Sequence, residues 1–161
     1  MSATIPEPTR SYSLGTVFVY VGSTVINSGF AEDEAVSWKG TNPRIKWTEG
    51  CDGSATVSQT NSRLVEVELH LMQGMTANAT LSAILAATQN VGGAVLVPFE
   101  VQDIQTNTLL SIPLATVVEA PERKYSADPN EIVWKITGQE DTQQHSDGAS
   151  PPAALSLAIT V

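Results

Sequence analysis

The chain has 161 residues, enough for one domain with a sizeable core. It carries 8 Lys and Arg against 17 Asp and Glu, a formal net charge of −9, which argues against adhesion to nucleic acid or to an anionic membrane. No apolar run approaches ~20 residues, which excludes a helical membrane span. The opening MSATIPEPTR lacks the basic-then-apolar pattern of a signal peptide. The single cysteine, Cys51, excludes an internal disulfide, and together these features predict synthesis in a cytoplasm. Charged residues make up only 16% of the chain, so part of its surface is expected to be covered by other copies.

In chain order, residues 1–11 read as an arm, because Pro6 and Pro8 favour extended backbone. Leu14 to Val21 is rich in β-branched and aromatic residues and predicts a buried strand, with Thr24 to Ile26 returning after a Gly22-Ser23 turn. Glu32-Asp33-Glu34 is an acidic loop. Ala35 to Lys39 and Arg44 to Glu49 predict short strands in which Trp38 and Trp47 bury their rings, and Asp52-Gly53 predicts a turn into a further strand, Ala55 to Gln59.

Arg63 to Met72 alternates strictly. Val65, Val67, Leu69 and Leu71 share one face; Glu66, Glu68 and His70 share the other, which predicts a strand with one dry and one wet side. Gly74 breaks it, and Thr76 or Asn78 is placed to cap a helix. Leu81, Ile84, Leu85 and Thr88 then form a narrow stripe, expected to pack on Val65, Val67 and Leu69, before Asn90 and Gly92-Gly93 end the helix.

Ala94 to Val101 and Thr108 to Val118 read as strands interrupted by Pro98 and Pro113, so a bulge or edge is expected there. Glu131 to Thr137 alternates, with Ile132, Trp134 and Ile136 on one face. The main domain is accordingly placed at residues 12–138. Residues 139–161 follow as a polar tether to Ser150 and a terminal strand whose Leu155, Leu157, Ile159 and Val161 share one face. The fold class is mainly β: an antiparallel sandwich or partial barrel with one packed α-helix.

The search for chemistry returns plain readings. Glu66 and Glu68 stand about 7 Å apart by strand geometry. That spacing would allow acid–base work, but a solvated acidic face explains it as well. Glu68 with His70 lacks a third metal ligand. Cys51 sits beside Asp52, which raises a thiol pKa, so it is no activated nucleophile. Asn78-Ala79-Thr80 matches a glycosylation sequon by chance at a helix start, and Arg123-Lys124 is too small a basic patch to bind nucleic acid. No catalytic, cofactor or metal site is expected.

Four features in order carry a resemblance: the opening strand pair SYSLGTVFVYVGSTVINSGF; the Gly50 to Ser54 turn; SRLVEVELHL leading into Asn78 to Ala83; and VPFEVQDIQTNTLLSIPLATV followed by EIVWKITG. Over roughly Tyr12 to Thr137 the chain resembles the tail tube proteins of contractile-tailed bacteriophages. The resemblance implies a non-enzymatic virion protein of the tail: a hexamer whose rings stack into a β-barrel-lined tube. It implies partners in the sheath, terminator and baseplate proteins, synthesis in the bacterial host cytoplasm, and DNA that passes through the lumen at ejection without specific binding. No membrane is involved for the free subunit. The lumen is expected to be acidic, from Glu66, Glu68 and His70 or from Glu100 with Gln102, because carboxylates repel phosphates. The C-terminal strand is expected to serve assembly on a neighbouring subunit or the sheath. Other readings are a terminator or baseplate-hub ring, a tube subunit of a phage-tail-like bacteriocin, and a carbohydrate-binding sandwich. The last is disfavoured by only three each of Phe, Trp and Tyr, several of them in apolar strand positions.

Overall fold

A computed structural model describes residues 13–144. The N-terminal arm and the segment carrying Leu155, Leu157, Ile159 and Val161 lie outside the described residues. A single 3-10 turn, Leu14–Thr16, leads into β1 (Val17–Val21) and β2 (Thr24–Ile26), so the first predicted strand starts three residues late and leaves Leu14 exposed. Next come β3 (Val36–Gly40), β4 (Ile45–Glu49), β5 (Ala55–Gln59) and β6 (Leu64–Met72). The helix α1 (Thr76–Val91) follows, then β7 (Val97–Asp103), β8 (Thr108–Val117), β9 (Glu131–Gln139) and β10 (Thr142–Gln144).

All pairings are antiparallel. Among the described residues the main sheet runs β2-β1-β7-β8-β9-β6-β3, and β4 pairs with β5 in a separate two-stranded sheet. The main sheet is an open one, not a closed barrel, yet it curls: Val36 and Trp38 from one edge line the same cavity as Val17, Val101 and Thr108 from the other half. Inward residues of both halves form one core, including Val19, Val67, Leu69, Phe99, Ile112 and Trp134. Alternation produces this directly, since each strand turns every second side chain inward. Pro98 falls at the register shift between β7 and β8, where the ladder loses a rung and proline's missing N–H costs nothing.

The described sheet continues past Gly138. β10 follows β9 along β8 without a slip, Leu114 facing Gln139 and Ser111 facing Thr142. The start of the polar tether is therefore part of the sheet. Its polarity hid this, because one short strand at a sheet margin needs no apolar side.

Two expectations about the helix are corrected. Neither Thr76 nor Asn78 caps it; the N-cap is Met75, with no side-chain hydrogen bond. Asn78 is instead buried and committed elsewhere. Its Nδ2 donates to the Met72 carbonyl at 3.0 Å, and its Oδ1 accepts from Trp134 Nε1 at 2.8 Å. The helix end behaves as expected, Gly92 adopting φ 71°. The helix lies chiefly against β8 and β2 rather than on Val65, Val67 and Leu69 of β6, and its stripe is uneven: Leu81 is fully buried, whereas Ile84 and Leu85 are half-buried against the core. Leu81→Ala is thus expected to cost about 2–5 kcal/mol and Leu85→Ala clearly less. Urea unfolding of both variants checks this, and equal losses would contradict the packing.

The β7–β8 turn is held by Asp103. Burial pushes its carboxyl up, but hydroxyls of Thr106 and Thr16 and amides of Gln105 and Thr106 outweigh that and hold it below the usual range. A lowered folded-state pKa contributes stability above the unfolded value, near 4, that is lost as pH falls through the folded one. Asp103→Asn should therefore lower Tm at pH 6 and bring little change at pH 2, a difference read by melting both proteins at the two values.

Candidate functional site

Two surfaces stand out, and the first is the β4–β5 hairpin. Its turn follows from Gly53 at φ 83° and from Asp52, whose Oδ1 accepts from Ser54 N and Oγ at 3.0 and 2.6 Å. Those Ser54 contacts hold the Asp52 carboxyl below its usual range. Every residue of both strands is exposed. The register puts Trp47 opposite Val57, Ile45 opposite Gln59 and Glu49 opposite Ala55, so Ile45, Trp47 and Val57 share one face with Ala55, Gln59 and Glu49, and Lys46, Thr48, Thr56 and Ser58 take the other; Ile45, Trp47 and Val57 are the large apolar side chains. Their exposures are 58%, 69% and 48%, so Trp47 is not buried as the sequence suggested. The ring lies on a two-stranded hairpin that pairs with no strand of the main sheet, so no second layer covers it among the described residues.

Among the described residues, the hairpin's contacts with the body lie at its base. Arg44 forms an ion pair with the buried Glu140, Thr41 N donates to the Leu64 carbonyl at 2.9 Å, and Asn42 meets Ser62. A two-stranded hairpin in water is marginal by itself. The exposed Ile45, Trp47 and Val57 make this face a candidate interaction surface.

The second surface is the outer face of β3, β6 and β9. Glu66 lies between Lys39 and Thr137, and Glu68 between Ser37 and Lys135. Lys135 also donates to Glu119 at 2.8 Å, and that contact, with Glu68 and Glu66 adding their charge, holds its ammonium above the ordinary range. The face is therefore acidic overall but interleaved with lysine, which a reading of one strand could not show. Leu64 and Leu114 are exposed on the same side.

The other expected residues do not join this pair. Glu100 is on β7, separated from β6 by β8 and β9, so roughly 14 Å of curved sheet lies between them. His70 follows the alternation but is 8% exposed, covered by the β2–β3 connection that pairs along β6 through Phe30 and Ala31. Its Nδ1 lies 3.3 Å from Glu131 and its Nε2 3.5 Å from Glu34, the latter contact making no hydrogen bond. No group of three His, Cys, Asp or Glu placed to hold a metal occurs among the described residues. No described helix is long and apolar enough to cross a membrane.

No family model matches the sequence, and no curated protein matches it. The fold does have likenesses among solved structures. One is the tube-terminating cap of the anti-feeding prophage, with TM-score 0.56 and 12% identity over 90% of this chain and 99% of that one. The chain shares its fold with parts of contractile injection systems. Another likeness is a chain of the sheath–tube complex of an extracellular contractile injection system, PVC, in its extended state. It has TM-score 0.52 and 15% identity over 83% of this chain and 90% of that one. A third is the sheath/tube terminator of PVC, also extended, with TM-score 0.51 and 12% identity over 89% and 98% of the two chains. Near-complete coverage of the cap and terminator chains means that the resemblance extends over their whole folds.

Proposed function

We propose that this chain is a structural ring subunit of a contractile tail, stacking head to tail into the tail tube. The observation that carries the reading is the β4–β5 hairpin, an arm presenting Ile45, Trp47 and Val57 to water. An arm reaching from one copy to a different surface of the next makes a heterologous contact, which generates rings or stacked filaments. The open sheet adds a second reason: β2 and β3 are its edges, and pairing or covering them with neighbouring copies removes an aggregation hazard. Hexameric rings, attachment to sheath and baseplate and a place in the virion tail belong to this reading, as does assembly from subunits made in the host cytoplasm.

A second reading, the ring that terminates the tube, is favoured by likeness to a cap and a terminator covered over 99% and 98% of their lengths. Sedimentation velocity over a range of concentrations tests the shared core of both. Discrete ring-sized or larger species that protect the exposed Cys51 at the hairpin tip from maleimide support it. A monomer at all concentrations, with Cys51 fully reactive, contradicts it.

In the tube reading the outer face of β6 and β9 lines the lumen. Lys39 and Lys135 there stand beside Glu66, Glu68 and Glu119, so no uncompensated cation is offered to passing phosphates. Glu66→Lys with Glu68→Lys would place four lysines together, costing about 0.2–1 kcal/mol per like-charged cross-strand pair but leaving the fold intact. That variant should bind duplex DNA with an affinity that falls steeply with salt, by a log–log slope of about −0.9 per phosphate engaged, and should slow ejection. Ejection at the wild-type rate would contradict the lumen assignment.

A further inference from the structure

The β4–β5 hairpin continues the ribbon formed by β3 and β6, but an irregular step lies between the two. Thr41 N donates to the Leu64 carbonyl and so extends the β3–β6 ladder by one rung. Thr60 N donates to the Arg44 carbonyl, which closes the hairpin ladder at its base. Between those rungs Asn42 and Pro43 on one strand face Asn61, Ser62 and Arg63 on the other. Unequal strands interrupt a ladder and bend the ribbon. Backbone pairing therefore does not set the direction in which the hairpin leaves the sheet.

Glu140 stands at this step and holds both of its strands. Its N donates to the Arg63 carbonyl at 2.9 Å, and its carboxylate forms the ion pair with Arg44. The pair is lopsided: the Glu140 side chain is 4% exposed and that of Arg44 61%. A carboxylate so far from water is costly without a cation beside it, so Glu140 retains the guanidinium and with it the first residue of the hairpin. Asn42 Nδ2 also donates to Ser62 Oγ across the step, at 3.4 Å, but that contact is exposed and joins neutral groups, which makes it the weaker tie.

We propose that Glu140 is a positioning residue for the hairpin: its ion pair with Arg44 fixes the angle at which Ile45, Trp47 and Val57 are presented to the next copy. The use of that angle in assembly rests on the ring reading, whereas the angle itself belongs to the single subunit. A hairpin held at one angle loses less conformational freedom on docking than one that swings, and so binds more tightly through the same contacts.

The test places nitroxides on Cys51, in the exposed turn of the hairpin, and on Gln102→Cys, an exposed position of β7. Pulsed electron spin resonance reads their separation in the dilute full chain, mixed with unlabelled protein so that only pairs within one subunit are seen. The wild type should give one narrow distribution. Glu140→Gln keeps the shape of the side chain and leaves Arg44 to hydrate, so it should broaden or shift the distribution while the melting curve moves little. Arg44→Gln strands the buried carboxylate, so it should loosen the hairpin and also lower Tm. Adding Glu140→Gln to Arg44→Gln should restore Tm but not the narrow distribution. The unlabelled Glu140→Gln chain, with Ile45, Trp47 and Val57 intact, should self-associate about tenfold more weakly, the effect of returning one residue's backbone freedom to the hinge. A distribution that stays narrow and in place in both single variants would overturn the proposal, whether or not rings form. A hairpin that loosens while association holds supports the positioning role and counts against the ring reading instead.

Discussion

Replacing Trp134 with alanine is expected to remove about 3–5 kcal/mol of stability through the cavity alone. Trp134 is 1% exposed and heads the fully buried side chains by volume. It sits on β9, between β6 and β8, so its ring packs where the sheet's central strands meet. The indole also satisfies Asn78, which in turn holds the Met72 carbonyl at the end of β6. Truncation leaves that buried amide oxygen without its donor, adding roughly 1–3 kcal/mol. Against a usual total of about 5–15 kcal/mol, the alanine variant should be marginal or unfolded at room temperature. Trp134→Phe separates the two contributions, because it keeps most of the ring and loses only the donor. Urea unfolding should place it about 1–3 kcal/mol below the wild type. A loss under ~1 kcal/mol for the alanine variant would mean that the β9 core is not built as described.

The second large effect concerns association. The triple substitution Ile45→Thr, Trp47→Ser and Val57→Thr keeps strand-compatible residues at two sites and removes the apolar face. All three side chains are exposed in the subunit. Its monomer stability should therefore change by no more than about 0.5 kcal/mol per site. An interfacial tryptophan commonly contributes 2 kcal/mol or more to binding, which is roughly 30-fold in Kd. Sedimentation should show self-association weakened by at least that factor, with an unchanged melting curve. A variant that assembles as well as the wild type would remove the hairpin from the interface. One that melts early would return Trp47 to the subunit's own core.

Much of the fold was legible because alternation is a local signal. The dry side of β6 and β9 falls where Val65, Val67, Leu69, Leu71, Ile132, Trp134 and Ile136 put it, and Glu66 and Glu68 are exposed opposite. Pro98 marked the bulge, and Gly92 the end of the helix. What was not legible depends on partners distant in sequence. Asn78 looked like a cap because its neighbours suit one, yet the Trp134 indole, 56 residues away, claims its oxygen. His70 alternates as a wet residue, yet the β2–β3 connection folds over it. Lys39 and Lys135 come to flank Glu66 and Glu68 only through the register of three strands. Trp47 was misread for a different reason. Its flanking pattern, Ile45 and Trp47 against Lys46 and Thr48, correctly describes a two-faced strand, but sequence does not say whether the covering surface belongs to the same molecule. The paired polar residues Thr56 and Ser58 across an Asp52-Gly53 turn were the available sign of a free-standing hairpin.

The most direct test of the central claim is negative-stain electron microscopy of the purified full chain, concentrated until sedimentation detects association. The account predicts closed rings with a central hole, stacked into hollow tubes for a tube subunit or remaining single for a terminating ring. It also predicts that neither forms with the Ile45, Trp47 and Val57 triple variant at the same concentration. Well-folded monomers for the wild type at every concentration, or rings that persist unchanged in the triple variant, would contradict it.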